Sequence, residues 1–336
     1  MTSFELCIEM GSGYTTIYKK SVGVVLREPT LALMETSGKN LKLLKAGIDA
    51  ERLFGKAGDD EVFVRPIVDG VVKNLELARK LLSHFLSKIV KYRFVKPAIK
   101  LIALLPLGLS DEDYENYRKL FYSVGFARID FVYGISSASF IDFPLLGVSK
   151  TNLIVNLGSG KSEMAVVVNG KIVNGYTINI GGMLIDKCIM EHLQHTKGYI
   201  ISSHTANKLK QEIGSLYETD TSNMEVVVQD SSGGGSVKTI ITAQDIFKPI
   251  CDNYFKILQT IKAFLNSCSQ DIVQDIVHEG IIMIGGASNI DGLEKFYKKV
   301  LEIPVLVMEN AEIVPVMGSE KLFADFNLLQ KVVEEN

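Results

Sequence analysis

Apolar residues recur with period 2, or run without interruption, through Leu6–Met10, Tyr14–Tyr18 and Gly23–Leu26, and glycine turns separate the runs. The segment from Phe4 to Leu33 therefore predicts a β-meander. The plan returns at Asn152–Asn156, Glu163–Val168 and Lys171–Ile180, with Asn169-Gly170 between the last two as a hairpin signal. Between the meanders, Leu77, Leu81, Leu82, Phe85, Leu86 and Ile89 fall at helical spacing, which predicts a helix over Leu75–Tyr92. A buried strand is expected at Ile99–Leu105, then a helix over Asp111–Val124 with Ser110 as N-cap and Asp113 in its acidic start. Beyond the second meander, Leu184–His195, Ser203–Ile213 and Ala243–Leu265 read as helices. Met224–Gln229 and Val237–Ile241 read as strands around the flexible tip 231–236, and Gly280–Ile284 as a buried strand stopped by Gly285-Gly286.

A chain of 336 residues suits about two domains. The doubled meander suggests two related halves, residues 1–150 and 151–336, each α/β with a mixed sheet and helices. No Pro-rich or charged linker divides them, so close packing around a cleft is expected. With 36 basic against 39 acidic residues the net charge is −3, which argues against a nucleic-acid partner recruited by bulk charge. The four cysteines form no CxxC pair, so neither a zinc site nor a disulfide framework is indicated and a reducing, cytoplasmic setting is expected. No signal peptide is read at the N-terminus and no apolar run reaches the ~18 residues of a membrane span, so any membrane contact would be peripheral.

The candidate chemistry lies in a repeated motif: Glu9-Met10-Gly11-Ser12-Gly13 and Asn156-Leu157-Gly158-Ser159-Gly160. Each copy follows a strand-like run and precedes another. Glycines let backbone N–H groups approach a phosphate closely, so two such turns facing each other would grip a polyphosphate. Gly158-Ser159-Gly160-Lys161-Ser162 ends like a P-loop, yet Val155 stands where that motif needs its first glycine, and a hairpin follows instead of a helix. A dinucleotide fingerprint fails for want of a third glycine opening a helix. The bland alternative is two tight turns, and the matching context of the copies weighs against it. His192 and His195 lie three apart on an expected helix but lack a third ligand at useful spacing. In the run Lys91–Lys96, Tyr92, Phe94 and Val95 between cations suit an anionic bilayer surface, against the plainer reading of a helix-to-strand connection.

The order of motifs resembles the actin, sugar-kinase and heat-shock-chaperone ATPase fold, and within it the bacterial actin MreB/Mbl family, from about Leu6 to Phe326. Ile8–Tyr18 is similar to that family's first phosphate loop and Arg65–Val71 to its RPxxDGV segment. Ile154–Val166 is similar to the second phosphate loop, Thr205–Ser215 to the helix along ribose and base, Gly280–Asn289 to the adenosine loop, and Val314–Gly318 to its closing partner. The resemblance implies an actin-like ATPase fold with small insertions at about 32–65 and 182–245 around a nucleotide cleft. It implies phosphate contacts at Ser12, Gly13, Tyr14, Gly158, Ser159, Gly160 and Lys161. It implies adenosine contacts at Asn207, Lys210, Glu212, Gly285, Gly286, Ala287 and Ser288. ATP with Mg²⁺ would be the ligands, Glu9 reaching the metal through water. Self-association into protofilaments, co-assembly with paralogues, and contact with the inner membrane face through Tyr92, Phe94 and Val95 are implied as well, in service of cell shape.

Departures from the family pattern cluster at the chemistry. The usual pair of aspartates is Glu9 and Asn156, and an amide cannot supply the charge a hard cation prefers. Lys161 replaces the usual Thr. Tyr133–Ala138 contains no carboxylate where the family's catalytic Glu is expected, which removes a general-base contribution of ~10²–10⁴-fold. The expectation is ATP binding with weak or absent hydrolysis. The competing readings are a small-molecule kinase of sugar or acetate type and a regulatory, chaperone-like ATPase; against the kinase, Ser110–Thr151 offers only Asp142 as a cleft carboxylate.

Overall fold

The computed structural model describes residues 4–36, 42–54, 56–90, 98–141, 151–230 and 235–334. Two five-stranded sheets organise it. The first has the order Arg128–Tyr133, Ile99–Leu105, Phe4–Met10, Tyr14–Lys19, Gly23–Pro29. Its meander strands pair antiparallel, whereas Ile99–Leu105 pairs parallel with Phe4–Met10 on one side and Arg128–Tyr133 on the other. The second sheet repeats that order with Val305–Val307, Ile281–Ile284, Thr151–Leu157, Ser162–Val168 and Lys171–Ile178. The predicted meanders are the antiparallel arms of these sheets, and the Asn169-Gly170 turn carries the positive φ angles, 52° and 83°, that such a hairpin needs.

The chain divides into two compact units, one of Met1–Pro144, Ala165–Thr177 and Glu312–Asn336, the other of Leu145–Met164 and Ile178–Ala311. In the first unit both faces of the sheet are covered, which is why its parallel strands read as unbroken apolar runs. Leu6, Ile8, Leu101 and Ala103 pack with Leu81, Leu82 and Phe85 of the helix Leu75–Ile89. Cys7, Ile102, Leu104 and Val132 pack with Val316, Leu322, Leu329 and Val332 on the opposite face. Alternate side chains of one strand thus feed two cores, each buried Leu or Ile contributing ~1.5–3 kcal/mol. The two C-terminal helices, Val314–Ala324 and Phe326–Val332, carry residues of the second core.

The expected helix over Leu75–Tyr92 closes earlier, at Ile89, because Val90 turns extended (φ −98°, ψ 92°). Asn74 starts it, its side chain accepting the Leu77 N–H at 2.9 Å. The next helix runs Asp111–Tyr122, and Ser110 caps it as expected, accepting the Asp113 N–H at 3.2 Å.

In the second unit, Ile281–Ile284 is buried along its whole length between Thr151–Leu157 and Val305–Val307, parallel to both. The helix Gly182–Lys197 packs against the helices Ser203–Ile213 and Ala243–Ser267. A capping box of Thr242 and Asp245 opens the last of these. Pro249 lies inside that helix, and Asn253 Nδ2 donates to its carbonyl at 2.7 Å. Strands Asn223–Asp230 and Ser236–Thr242 pair antiparallel, matching the predicted hairpin.

Candidate functional site

The two glycine motifs form the same turn. Gly11 N–H donates to Tyr14 O at 3.0 Å, and Gly158 N–H donates to Lys161 O at 3.0 Å. Each turn joins two antiparallel strands and leaves the intervening backbone N–H groups, Ser12–Gly13 and Ser159–Gly160, at its tip.

Three residues outside the first turn brace it. Arg65 Nη1 donates to Ser12 O at 3.1 Å and to Gly13 O at 3.2 Å. Gly70 N–H donates to Ser12 Oγ at 3.0 Å. Tyr117 Oη donates to Gly70 O at 3.1 Å and lies 3.4 Å from Met10 O. The RPxxDGV-like segment therefore acts as a clamp on the carbonyl side of the turn, and Ser12 keeps its hydroxyl proton available for donation. Tyr14 lies under the Arg27 guanidinium, 4.1 Å from its ring centroid. Burial, with Glu51, raises its phenol above the ordinary value against the opposing pull of Arg27 and Arg65.

The second turn is held from behind by the helix Gly182–Lys197. Gly182 N–H donates to Gly158 O at 3.0 Å and Met183 N–H to Ser159 O at 2.8 Å. Gly181 makes this approach possible: a Cβ there would lie 2.6 Å from both Ser159 O and the Gly160 carbonyl carbon. Its φ of −137° is ordinary, so space alone demands the glycine. Gly285 is required twice over, by a φ of 87° and by a Cβ position only 2.4 Å from Asn156 Oδ1 and Leu157 O.

Around that turn the carboxylate has changed strands. In the first hairpin Glu9, on the leading strand, pairs in register with Thr16. In the second hairpin the leading residue is Asn156, and its Nδ2 donates to Glu163 Oε2 at 2.9 Å on the trailing strand. Lys161 Nζ stands 3.6 Å from Glu163 Oε1, and both side chains are buried. A reading of the leading positions alone misses Glu163; its signal was the offset that sets Thr16 against Glu9.

The expected adenosine residues divide. Asn207 and Lys210 converge on Asp186, Asn207 Nδ2 at 3.1 Å from Oδ2 and Lys210 Nζ at 2.6 Å from Oδ1. Lys210 also donates to Gly182 O at 2.7 Å, so this cluster abuts the helix start that holds the second turn. Burial pushes the Lys210 ammonium down from the ordinary lysine value, and Asp186 opposes that shift. Glu212 is exposed, ~200° around the helix from Lys210, and lies away from Asp186. Gly286 is exposed; Ala287 O accepts from Tyr254 Oη at 2.5 Å; Ser288 is buried with its hydroxyl donated to Ile284 O at 2.6 Å. Tyr92, Phe94 and Val95, the expected membrane contacts, lie outside the described residues, as does Asp142.

The family model for the MreB/Mbl protein matches residues 3–331. The chain belongs to the MreB/Mbl family. It is 26% identical over 314 residues to the cell shape-determining protein MreB of Escherichia coli strain K12, covering 92% of this chain and 90% of that one. It is 25% identical over 340 residues to the cell shape-determining protein Mbl of Bacillus subtilis strain 168, covering 98% and 99%. Among solved structures, MreB5 of Spiroplasma citri bound to AMPPNP superposes with a TM-score of 0.89 at 22% identity, covering 98% and 99%. A MamK double helical filament gives 0.77 at 16% identity, covering 96% and 99%. The fold is therefore the actin-like one.

Within this MreB/Mbl chain, the short helix Gly134–Ala138 presents Ser136 and Ser137, both buried, in place of any carboxylate. Ser137 Oγ donates to Pro315 O at 2.7 Å, and Ser136 O accepts from Ser139 Oγ. The Glu9 carboxylate lies nearby in the same unit, Oε1 being 3.9 Å from where a Gly134 Cβ would stand. At the second turn the donor set does not suit Mg²⁺. Glu163, the carboxylate there, already accepts from an amide and faces an ammonium, and a hard cation competes poorly for oxygens so engaged.

Proposed function

We propose that this chain is a filament-forming cell-shape protein that binds ATP through its two glycine turns and hydrolyses it slowly or not at all. The observation that carries the reading is the duplicated turn closure, Gly11 N–H to Tyr14 O and Gly158 N–H to Lys161 O, at the heads of two like-ordered sheets. Turns of that kind offer backbone N–H groups to phosphate oxygens at low entropic cost, because clamps such as Arg65 and the start of helix Gly182–Lys197 already fix them. Ser12, Gly13, Tyr14, Gly158, Ser159, Gly160 and Lys161 are the proposed phosphate residues. Asn207, Lys210, Gly285, Gly286 and Ala287 are the proposed adenosine residues. Glu212 and Ser288 are weaker members, one exposed on another helix face and one buried with its hydroxyl engaged.

The relatives support the ligand and the assembly: MreB5 of Spiroplasma citri is described bound to ADP and to AMPPNP, and MamK as a double helical filament. Nucleotide would act as a switch by binding the polymer-competent state more tightly than the other. Slow hydrolysis is supported by the carboxylate-free helix Gly134–Ala138, in which the Ser137 hydroxyl is spent on the Pro315 carbonyl. Co-assembly with more active paralogues would then supply turnover. Peripheral association with the inner membrane face rests on the composition of residues 91–96 alone; no helix among the described residues is long and apolar enough to cross a membrane.

Equilibrium binding of ATP combined with phosphate release tests this reading. The expected result is saturable ATP binding with release at least about a hundredfold slower than an MreB that retains the Glu, the low end of a lost general base. Release at an equal rate would overturn the low-hydrolysis reading, and no saturable binding would overturn the ATP reading.

A further inference from the structure

A buried phenol reaches the loop on which part of the adenosine reading above depends, and the inference rests on that reading. Tyr254, on the helix Ala243–Ser267, is 1% exposed. Its neighbours on the buried face, Ile250, Ile257, Leu258 and Ile261, are apolar. A phenol so deep costs free energy unless its hydroxyl finds a partner, and here the partner is Ala287 O, at 2.5 Å.

That acceptor lies in the short 3₁₀ segment Gly286–Asn289, which follows the buried strand Ile281–Ile284. Two other bonds pin the loop on either side of it: Gly285 N–H donates to Ala311 O at 2.8 Å, and Ser288 Oγ donates to Ile284 O at 2.6 Å. Ala287 stands between them, half-buried, beside the exposed Gly286. The phenol therefore holds the middle of the loop from the core side, while Gly286 faces solvent.

The same side chain borders the other group of adenosine residues. Burial, and after it the Asp186 carboxylate, pushes the Tyr254 phenol up from its ordinary value, so it stays a protonated donor at physiological pH. Asp186 is the carboxylate on which Asn207 and Lys210 converge. Tyr297 offers a matched case nearby: it is 0% exposed on the helix Leu293–Leu301, and its hydroxyl donates at 2.7 Å to Tyr254 O, a carbonyl in mid-helix, not to the loop.

We infer that Tyr254 is a positioning residue for the adenosine end of the nucleotide: its hydroxyl fixes Ala287, and with it the loop Gly285–Ser288, in the conformation that the ligand meets. A loop set beforehand spares binding the cost of ordering it, so a side chain on the core side of the loop contributes to affinity through the backbone it holds. The loss of one buried neutral hydrogen bond sets the size of the effect.

The test is the dissociation constants of ATP and of ADP for the full chain, measured by isothermal titration well below the melting temperature. Wild type, Tyr254→Phe and Tyr297→Phe are compared, with a thermal melt of each. The two substitutions remove the same group from equally buried sites, so a merely structural role would give matching losses in the melt and in binding. Tyr254→Phe is expected to raise both constants by about three- to tenfold. Tyr297→Phe is expected to lower the melting temperature comparably while both constants stay within about twofold of the wild type. Unchanged constants for Tyr254→Phe, an equal rise in both variants, or a rise for ATP without one for ADP overturns the inference while leaving nucleotide binding intact. Absence of binding by the wild type overturns the nucleotide reading itself. Should Tyr254→Phe fail to fold, Tyr254→Met, which fills the site without a hydroxyl, takes its place with the same expected rise.

Discussion

Lys210 Nζ lies 2.6 Å from Asp186 Oδ1, and each side chain is only 8% exposed. The pair joins helix Ser203–Ile213 to helix Gly182–Lys197, whose first residues hold the second glycine turn through Gly158 O and Ser159 O. Removing one partner of such a pair leaves a buried charge without compensation. Lys210→Ala is expected to cost about 3–5 kcal/mol of unfolding free energy, and the double variant Lys210→Met/Asp186→Leu markedly less. Urea unfolding monitored by circular dichroism checks both; an equal loss in the two variants would mean that packing, not charge, is what the pair supplies.

Gly181 is the most stringent position in the second turn. With a Cβ placed 2.6 Å from Ser159 O and 2.7 Å from Lys161 N, Gly181→Ala must push the turn off its supporting helix. The expected result is at least about a tenfold rise in the ATP dissociation constant. Gly235→Ala is the control, since nothing lies within 4 Å of its Cβ position.

At the first turn, Arg65 donates to two carbonyls that would otherwise splay. Arg65→Ala is expected to destabilise the fold by about 1.5–3 kcal/mol, the range for bonds from a charged donor. It should weaken ATP binding more than Arg65→Lys does. A thermal melt and a titration on the same sample separate the two effects.

The helix Ala243–Ser267 sets a pH dependence. Burial alone would raise the Asp245 carboxyl, but the hydrogen bond from Lys197 and those at Thr242 outweigh it and hold the group below its ordinary 3.8. A carboxyl depressed in the folded state adds stability that is present above the unfolded value and is lost as pH falls through the folded one. Acid unfolding of the wild type should therefore steepen below about pH 4, and Asp245→Asn should flatten that part of the curve. Thr242→Ala should cost about 1 kcal/mol at neutral pH.

Periodicity made much of this architecture legible. Both meanders, the Asn169-Gly170 hairpin, the Ser110 cap and the hairpin over Met224–Ile241 follow from local rules, because alternation and turn chemistry are local properties. The helix Val314–Ala324 was not legible as a helix: Val314, Pro315, Val316, Gly318, Ser319 and Leu322 are all buried, so no amphipathic stripe marks it. Its Gly318 is demanded by a carbonyl, Ser137 O, that lies far away in sequence. The glycine turns themselves could be found from the motif, whereas Glu163 could not be weighed until the strands placed it beside Asn156 and Lys161. Asp186 was hidden for the same reason, being an acidic residue on a helix until Lys210 and Asn207 are set against it.

Ultracentrifugal pelleting with electron microscopy of the pellet tests whether nucleotide held by the glycine turns governs assembly. Wild type and Gly181→Ala would be compared with and without ATP. The expected result is ordered filaments whose pelleted mass rises with ATP for the wild type and does not respond to ATP for Gly181→Ala. Filaments formed equally by both proteins in both conditions, or a wild type that stays in the supernatant throughout, would contradict it.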